Sequence, residues 1–427
     1  LAITGSIVSC AGYAEQFTSG DIGGVSTEEW FLAQDGNQVL PTAQLNLAAN
    51  GYAPLADSVL LTSGVDPRDI EPEFEDAQYV GAFDGQNNWM TGWTVGINGG
   101  FPTDVQNAFD QGLAVDVSTQ FPQITDKPVY LLDTDVTFTS DVTFTNDAHW
   151  VLSGRTAVGG DNVDSATLFI ENGTTIIGQA GEDFLVVRRG SKIEALGLEN
   201  APITMTSIQD VTGEETDIGQ WGGLVVLGRA PANSCGDQVG ETTEDELANC
   251  GVAAEGDAGQ FGGNVPTDDS GTIQYVVVKH AGRTLGNGDE LNGITLAGVG
   301  SSTNVNHIQV HKNLDDGLEF FGGTVSVRYV VLTDNGDDSL DWSFGWTGNA
   351  QFVYVRQNEE AGDNGIEADN SEFDAGARPL TNPTIANMTI VGDNTNNGVR
   401  LRAGTAGKIH NLVVTGPEGY QNCLRVN

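Results

Sequence analysis

The sequence has 427 residues, of which 59 are acidic and 17 are basic, so that its formal net charge is −42. This charge argues against nucleic acid or an anionic membrane as a partner, because both are polyanions. No stretch approaches the roughly 18–20 apolar residues that a membrane-spanning helix needs. The 57 glycines follow no collagen period and are typical of a β protein rich in turns.

Residues 1–128 predict an N-terminal segment without a regular repeat. The segment opens with a strand pattern over residues 1–8 and continues into polar and proline-containing chain. Trp89 and Trp93 stand four residues apart with a glycine between them. This Trp-rich stretch predicts a buried cap or docking region.

Strand patterns follow one another from Val129 onwards, so residues 129–427 predict one continuous β domain. A long insertion at about 229–270 interrupts them and contains many acidic residues. Loops of this length in a compact fold are usually functional. Cys235 and Cys250 flank an acidic stretch inside the insertion, which predicts a loop-closing disulfide and an oxidising compartment.

A six-residue pattern recurs five times near the C-terminus: polar, Asp or Asn, small, aliphatic, charged, apolar. A weaker sixth copy precedes it, and the steps between copies are 22 to 33 residues. A second apolar stripe runs between the copies. Two short strand patterns in each period indicate a solenoid. The Asp or Asn position recurs at Asn292, Asp316, Asp338, Asn364, Asn397 and Asn422.

The repeat predicts a right-handed parallel β-helix. Each strand alternates inward apolar and outward polar side chains, and successive turns stack at roughly 4.8 Å to form one core. The Asp or Asn side chains should then form a column at one bend. The small residue after them is expected to be there because glycine tolerates unusual φ angles.

Six stretches carry a resemblance to a known family: residues 173–176, 201–207, 221–224, 290–296, 313–324 and 336–339. They resemble a large family of exported bacterial β-helix proteins, most of which have no assigned activity. The resemblance covers about residues 130–415 and implies export to the outer membrane surface or beyond, but no chemistry.

In that family a Gly-Ala-Phe … Gly-Trp-Thr segment follows the β-helix, whereas here it precedes it at residues 81–94. The chain therefore looks as if it were cut across its repeat. This predicts tandem copies in a longer chain, or subunits that stack head to tail, since open strand edges are normally covered. Cys10 and Cys423 would then meet at the joint, within or between chains. The residues expected at the joint are Leu1, Ile3, Ile7, Trp89, Trp93, Leu424 and Val426.

The charged position of the five copies reads Glu319, Asp341, Glu367, Arg400 and Arg425. If these residues occupy consecutive turns, three carboxylates lie about 5 Å apart. Oxygen ligands at that spacing suit Ca²⁺, and further oxygens would come from Asp315, Asp316, Asp337 and Asp338. The alternative is an Asp/Asn bend ladder beside a solvated acidic face.

An enzymatic role is a second hypothesis. Paired carboxylates cleave glycosidic bonds in many enzymes. Gly336-Asp337-Asp338 and the stretch 399–402 faintly resemble two motifs of polygalacturonases, but the Gly-His-Gly element between them is missing. Catalysis would use Asp337, Asp338 and Asp341, with Arg400 as the base of a lyase.

The favoured interpretation is a structural protein outside the bacterial cell or on its outer surface. It would be stabilised by Ca²⁺ and would assemble with copies of itself into filaments or arrays. The alternative is a β-helix that binds or cleaves carbohydrate, with a surface glycan as partner.

Overall fold

The computed structural model describes residues 2–10, 17, 21–22, 24–48, 53–85, 89, 113–286, 288–358, 361–393, 397–417 and 420–427. Their strands form two large sheets whose neighbours pair in parallel, apart from one antiparallel pair, Ala114–Asp116 with Val129–Leu132. We call these the long sheet, with 17 strands, and the short sheet, with 10 strands. The architecture is the all-β parallel β-helix that the repeat predicted.

The short sheet follows chain order, with one strand in each turn of the coil. We call each turn a rung. The strands of the short sheet are Thr137–Phe138, Arg155–Val158, Phe184–Val187, Gly223–Leu227, Ile294–Ala297, Leu318–Phe321, Leu340–Ser343, Asn364–Ala368, Asn397–Leu401 and Asn422–Val426.

The long sheet takes the strands between them and also includes strands from the N-terminal segment. Its strands are Ala2–Thr4, Ile7–Cys10, Gln38–Val39, Ala114–Asp116, Val129–Leu132, Val142–Phe144, His149–Val151, Thr167–Ile170, Thr175–Gly178, Lys192–Leu196, Ile203–Ser207, Gly271–Lys279, Asn304–His311, Val327–Thr333, Asn349–Arg356, Thr384–Val391 and Lys408–Gly416.

The remaining elements are short. Three two-stranded hairpins pair Asp21–Ile22 with Val25–Ser26, Val252–Ala253 with Gln260–Phe261, and Arg283–Gly286 with Asp289–Leu291. None of the helices in the described residues has the length and hydropathy of a membrane-spanning segment. The α-helices are Thr27–Leu32, Thr42–Leu45, Ile208–Thr212 and Glu244–Ala248, and the 3₁₀ helices are Val59–Leu61, Pro67–Asp69, Ser118–Gln120, Asn233–Cys235 and Glu255–Asp257.

The core is the continuous inner face of the stacked rungs. The apolar stripe that the sequence predicted between the repeat copies lies in this core, and its members on neighbouring rungs are in register, as Val276 with Ile308 and Ile308 with Val330. Burial of such a stripe is the main stabilising contribution in a solenoid, because each rung covers the apolar face of the next.

The repeat has a small residue at this position for a different structural reason from the one that the sequence suggested. Gly317 and Gly398 do not have positive φ angles. A Cβ atom on Gly317 would lie 2.3 Å from Nδ2 of Asn335, and one on Gly398 would lie 2.5 Å from Cγ1 of Val414. The prediction of an unusual φ angle was wrong: the position is small because neighbouring groups approach too closely for a side chain.

The long strands bend at a column of left-handed residues that the sequence analysis missed. On an early rung, Lys192–Leu196 and Ile203–Ser207 are separate strands, and both pair with Gly271–Lys279 on the next rung. In Gly271–Lys279 the single residue Tyr275 takes the place of the turn that separates those two strands. Left-handed φ angles of +48° to +58° recur at this place in Tyr275, His307, Tyr329, Phe352, Asn387, Asn411 and Gly5.

The N-terminal strands extend the coil of their own chain. Ile3 pairs in parallel with Ile409, and Ile7 pairs with Val413. Phe17 forms a parallel bridge with Leu424 of the last short strand. The sequence predicted that a tandem copy or another subunit covers this strand edge. The edge is instead covered within the chain, because the N-terminal strands form the next rung.

Residues 65–83 pack along the outside of the long sheet. Asn411 donates a hydrogen bond of 2.9 Å to the carbonyl oxygen of Val65, and Asn387 donates one of 2.7 Å to that of Tyr79. Trp89 is half-buried against Phe83. Of the other residues expected at the joint, Ile3, Ile7 and Leu424 are buried and Val426 is half-buried, whereas Leu1 and Trp93 lie outside the described residues.

The Cys235–Cys250 disulfide predicted from the sequence is present. Cys423 is disulfide-bonded as well. The side chain of Cys10 lies outside the described residues, while its backbone belongs to the strand that pairs with Val413–Gly416.

Candidate functional site

Three carboxylates lie in register on the outer side of the short sheet. Glu319 pairs with Asp341, and Asp341 pairs with Glu367. We call these three residues the acidic column. Arg400 and Arg425 continue it on the next two rungs, as the repeat predicted. Neighbouring strands in a sheet lie about 4.8 Å apart, so the column brings like charges close together.

The acidic column is buried, which the sequence analysis did not foresee. Glu319, Asp341 and Glu367 are only 8%, 9% and 8% exposed. The hypothesis of a solvated acidic face was therefore wrong for this column. The column is buried because two loops that lie far apart in the sequence cover this part of the short sheet.

The Asp and Asn residues at the bend form the predicted ladder. Oδ1 of Asp316 accepts a hydrogen bond of 2.9 Å from the backbone N–H of Asp338, and Oδ1 of Asp338 accepts one from the N–H of Asn364. Farther along, the side chain of Asn397 donates to Asn364 at 2.6 Å. The ladder satisfies backbone groups at the bend, yet at two rungs it places a carboxylate where other rungs have a neutral amide.

Burial and mutual repulsion raise the pKa values of these carboxyl groups. Desolvation is the main cause of pKa values well above the ordinary range for Asp316, Glu319, Asp338 and Asp341, and the neighbouring carboxylates add to it. Burial likewise raises the pKa of Asp315 to about 8. Such groups must hold protons or bind a cation.

Among the described residues, the acidic side chains form four groups in which one oxygen of each member lies within 4.8 Å of the others. Asp341 is common to two of the groups, and its carboxylate accepts no hydrogen bond from any described residue. Hard oxygen donors that lack other partners fit Ca²⁺. The four groups are Asp315, Asp316 and Asp337; Asp316, Glu319 and Asp341; Asp337, Asp338 and Asp363; and Asp338, Asp341 and Glu367.

Two arginines neutralise one end of the acidic column. Arg400 contacts Glu367 at 2.7 Å, and Arg402 contacts Glu367 at 2.6 Å and Asp369 at 2.8 Å. An ion-paired guanidinium keeps its proton and is unsuited to act as a base. Of the residues proposed for catalysis, Asp337, Asp338 and Asp341 thus lie together, whereas Arg400 is occupied by an ion pair.

A cleft of about 220 Å³ opens onto the acidic column. Its lining combines carboxylates, hydroxyl and amide groups and the aromatic ring of Phe373, which is 74% exposed. Among the described residues that line it, Arg402 is the only cationic one. The lining residues are Gln238, Glu319, Asp341, Ser343, Phe344, Asp369, Asn370, Ser371, Glu372, Phe373 and Arg402.

Two loops that hydrogen-bond to each other build the wall of the cleft. Residues 236–249 belong to the insertion closed by the Cys235–Cys250 disulfide, and residues 370–378 follow a strand of the short sheet. The N–H of Gly240 donates to Asp374 at 2.9 Å, and the hydroxyl of Ser371 donates to the carbonyl oxygen of Gln238 at 3.2 Å. The insertion therefore contributes directly to the site.

Sequence reasoning missed the second outward position of each repeat. Ser343, Asp369 and Arg402 follow Asp341, Glu367 and Arg400 by two residues, and side chains two apart on a strand share a face. This period would have identified them as neighbours of the acidic column. Phe373 and Gln238 carry no such signal, because they lie in loops.

The fold and the cleft together define a class of protein: a parallel β-helix with an acidic cleft on the outer side of one sheet. The family model described as a pectate-lyase like beta helix domain matches residues 136–427, which is more than half of the chain. The chain belongs to this family. No curated protein is significantly similar to it.

Proposed function

We propose that the protein is exported and binds a carbohydrate chain in the cleft beside the acidic column. The observation that carries this proposal is the combination of the exposed ring of Phe373 with the polar groups of Asp341 and Ser343 in one concave site. A sugar ring has an apolar face that packs on an aromatic ring and hydroxyl groups that hydrogen-bond to carboxylates. Binding sites commonly combine apolar surface with a few convergent polar groups in this way.

The family adds support at the level of the fold. A pectate-lyase like domain suggests carbohydrate as the ligand class, although similar folds host unrelated functions. The local geometry favours binding over cleavage, because Arg400 and Arg402 are both held in ion pairs with Glu367.

We further propose that the acidic column holds Ca²⁺. The residues that would hold the ion are Asp341 with Glu319 and Asp316 on one side, or with Glu367 and Asp338 on the other. Bound Ca²⁺ would offset the repulsion among the buried carboxylates.

Self-assembly remains a second candidate function, because of the way the terminal strands pair. Residues 2–4 and 7–10 cover the edge of Lys408–Gly416 through main-chain hydrogen bonds. The same strand from a second copy would fit this edge equally well. Head-to-tail stacking would then be an exchange of the N-terminal strands between copies.

A glycan array followed by calorimetry tests the carbohydrate proposal. We expect Phe373→Ala to weaken binding about threefold to tenfold. The matched control is Phe169→Ala, since Phe169 is 40% exposed on the long sheet, away from the cleft. Equal loss of binding in both variants, or no binding of any glycan by the native protein, would contradict the proposal.

Calorimetry with Ca²⁺ alone tests the metal proposal. We expect Asp341→Asn to weaken Ca²⁺ binding at least tenfold, since it removes a charged ligand common to both groups. Glu28→Gln removes one negative charge from an exposed helix elsewhere and should leave the affinity unchanged. Unaltered Ca²⁺ binding by the Asp341→Asn variant would show that the ion binds elsewhere.

A further inference from the structure

The electrostatic character of the cleft restricts the kind of sugar that it can accept. Four carboxylates line it, those of Glu319, Asp341, Asp369 and Glu372, against the single guanidinium of Arg402. Arg402 already contacts Glu367 at 2.6 Å and Asp369 at 2.8 Å, and lies 3.6 Å from Glu372. It therefore has little capacity left to attract an anionic ligand.

An acidic sugar is disfavoured for this reason. A uronate would place its carboxylate beside Asp341, which is nine-tenths buried and has no cationic partner within salt-bridge distance among the described residues. Two like charges in contact repel strongly there, because buried surroundings screen charges less than water does. Without an intervening metal ion, an oligogalacturonate should be rejected.

Two polar groups in the cleft lack partners and point to a hydrogen-bonding ligand. The carboxylate of Asp341 accepts no hydrogen bond from the described residues, although Asp341 is only 9% exposed. The buried Oγ of Ser343, two residues farther along the same strand, also has no hydrogen-bond partner in the part of the chain that the structure describes. Both residues line the cleft, because side chains two apart on a strand share a face.

We propose that the cleft binds a cationic amino sugar, whose ammonium group pairs with Asp341 and hydrogen-bonds to Ser343. An ammonium has three donors, which suit a carboxylate and a hydroxyl oxygen together. It also compensates the buried negative charge that a neutral sugar would leave unpaired. The exposed ring of Phe373 adds a surface for the sugar ring and favours a cation.

The size of the cleft suits a single sugar residue. Its volume of about 220 Å³ lies below the roughly 300–1,000 Å³ of sites for drug-sized ligands. The rest of an oligosaccharide would lie outside, along the rim formed by residues 370–373. This inference rests on the proposed carbohydrate function and narrows its ligand class to glucosamine-type units with a free amino group.

Calorimetry on the full chain, freed of metal with EDTA and then dialysed, tests the inference. The probes are glucosamine tetramers, N-acetylglucosamine tetramers and galacturonate tetramers, all β-1,4 or α-1,4 linked and of equal length. We expect the glucosamine tetramer to bind at least about tenfold more tightly than the other two, since a charge-assisted hydrogen bond contributes more than a neutral one. Equal or tighter binding of the acetylated tetramer overturns the inference but leaves the carbohydrate function standing.

Substitutions of Asp341 and Ser343 test whether the ammonium group of the sugar binds to these two residues. Asp341→Asn should lose about tenfold in affinity for the glucosamine tetramer and little for the acetylated one, while Ser343→Ala should lose less. Glu28→Gln is the control for the change in net charge. Removal of a charge from a repulsive buried cluster should leave the fold intact, which a thermal melt verifies. If Asp341→Asn affects both tetramers alike, the ammonium is not bound there and the inference fails.

Competition with Ca²⁺ distinguishes an ammonium group bound directly by Asp341 from a Ca²⁺ ion that bridges the protein and the sugar. If both cations use Asp341, Ca²⁺ should weaken binding of the glucosamine tetramer. If Ca²⁺ strengthens it, or if the galacturonate tetramer binds only with Ca²⁺ and more tightly than glucosamine, the ligand is acidic or neutral and the inference is overturned. Absence of binding by all three tetramers, with and without Ca²⁺, contradicts the carbohydrate function as well.

Discussion

Asp341 stands in parallel register with Glu319 on the preceding rung, and both side chains are more than nine-tenths buried. Stacked strands impose this proximity, because every outward position recurs about 4.8 Å away on the next rung. A charged residue at an outward position of the repeat therefore lies next to the equivalent charged residue of the neighbouring rung. The resulting repulsion is the physical basis of the site and of the first two predictions.

Replacement of Asp341 by Asn should stabilise the metal-free protein. The substitution removes one ionisable group from a buried cluster whose members repel one another when they are ionised, while it keeps nearly the same shape. The expected gain in the free energy of unfolding is about 1–3 kcal/mol. Urea denaturation at pH 7 in EDTA measures it, with Glu28→Gln as the control. A loss of stability would mean that the Asp341 carboxylate has a favourable partner that the fold does not reveal.

The stability of the metal-free protein should fall as the pH rises from 6.5 to 8. Burial raises the pKa values of Glu255 and Asp315 to about 8, whereas in the unfolded chain both groups titrate near pH 4. In this window the native state therefore binds more protons than the unfolded state, so the free energy of unfolding decreases with pH.

The pH range begins at 6.5 because, below that pH, the histidines change the free energy of unfolding in the opposite direction. Burial lowers the pKa values of His307, His311 and His410 to about 4, so below pH 6.5 the unfolded chain takes up protons that the native state does not. Thermal melts at pH 6.5, 7.2 and 8 in EDTA measure the trend. A melting temperature that rises across this window would contradict the assignment of raised carboxyl pKa values.

The substitution Gly317→Ala should destabilise the coil by about 1–3 kcal/mol, because overpacking forces neighbours to move. Its Cβ would lie 2.6 Å from the carbonyl oxygen of Ser339 as well as 2.3 Å from Asn335. The control is Gly407→Ala, where the nearest atom is 3.5 Å away. Chemical denaturation of both variants gives the comparison, and equal stabilities would show that the bend can widen without cost.

Deletion of residues 1–8 should create a variant that binds the full-length protein. Residues 2–4 and 7–8 cover the edge of Lys408–Gly416, so the variant has an open parallel edge on which the N-terminal strands of another copy can pair. Light scattering after gel filtration of an equimolar mixture of the two proteins, at several concentrations, measures the mass. Monomers at all concentrations would show that the edge does not accept the N-terminal strands of another copy and would contradict the assembly hypothesis.

The sequence by itself determined the coil, because a solenoid repeats the same local pattern. The register of Asp316 with Asp338 and that of Glu319 with Asp341 follow from one recurring period, and the inward stripe around Ile308 follows from another. These signals are short in range and are repeated several times along the chain. The disulfide between Cys235 and Cys250 was equally local, since both residues flank one loop.

Only the tertiary structure decided the environment of the acidic column. Its burial and the cleft depend on the contact of residues 236–242 with residues 370–378, which are more than 100 positions apart and carry no period. The pairing of Ile3 with Ile409 within one chain is likewise a contact between distant segments. Periodicity specifies which residues share a face, but it does not specify which loop covers that face. The change from a solvated acidic surface to a buried acidic cleft therefore came from contacts that no repeat encodes.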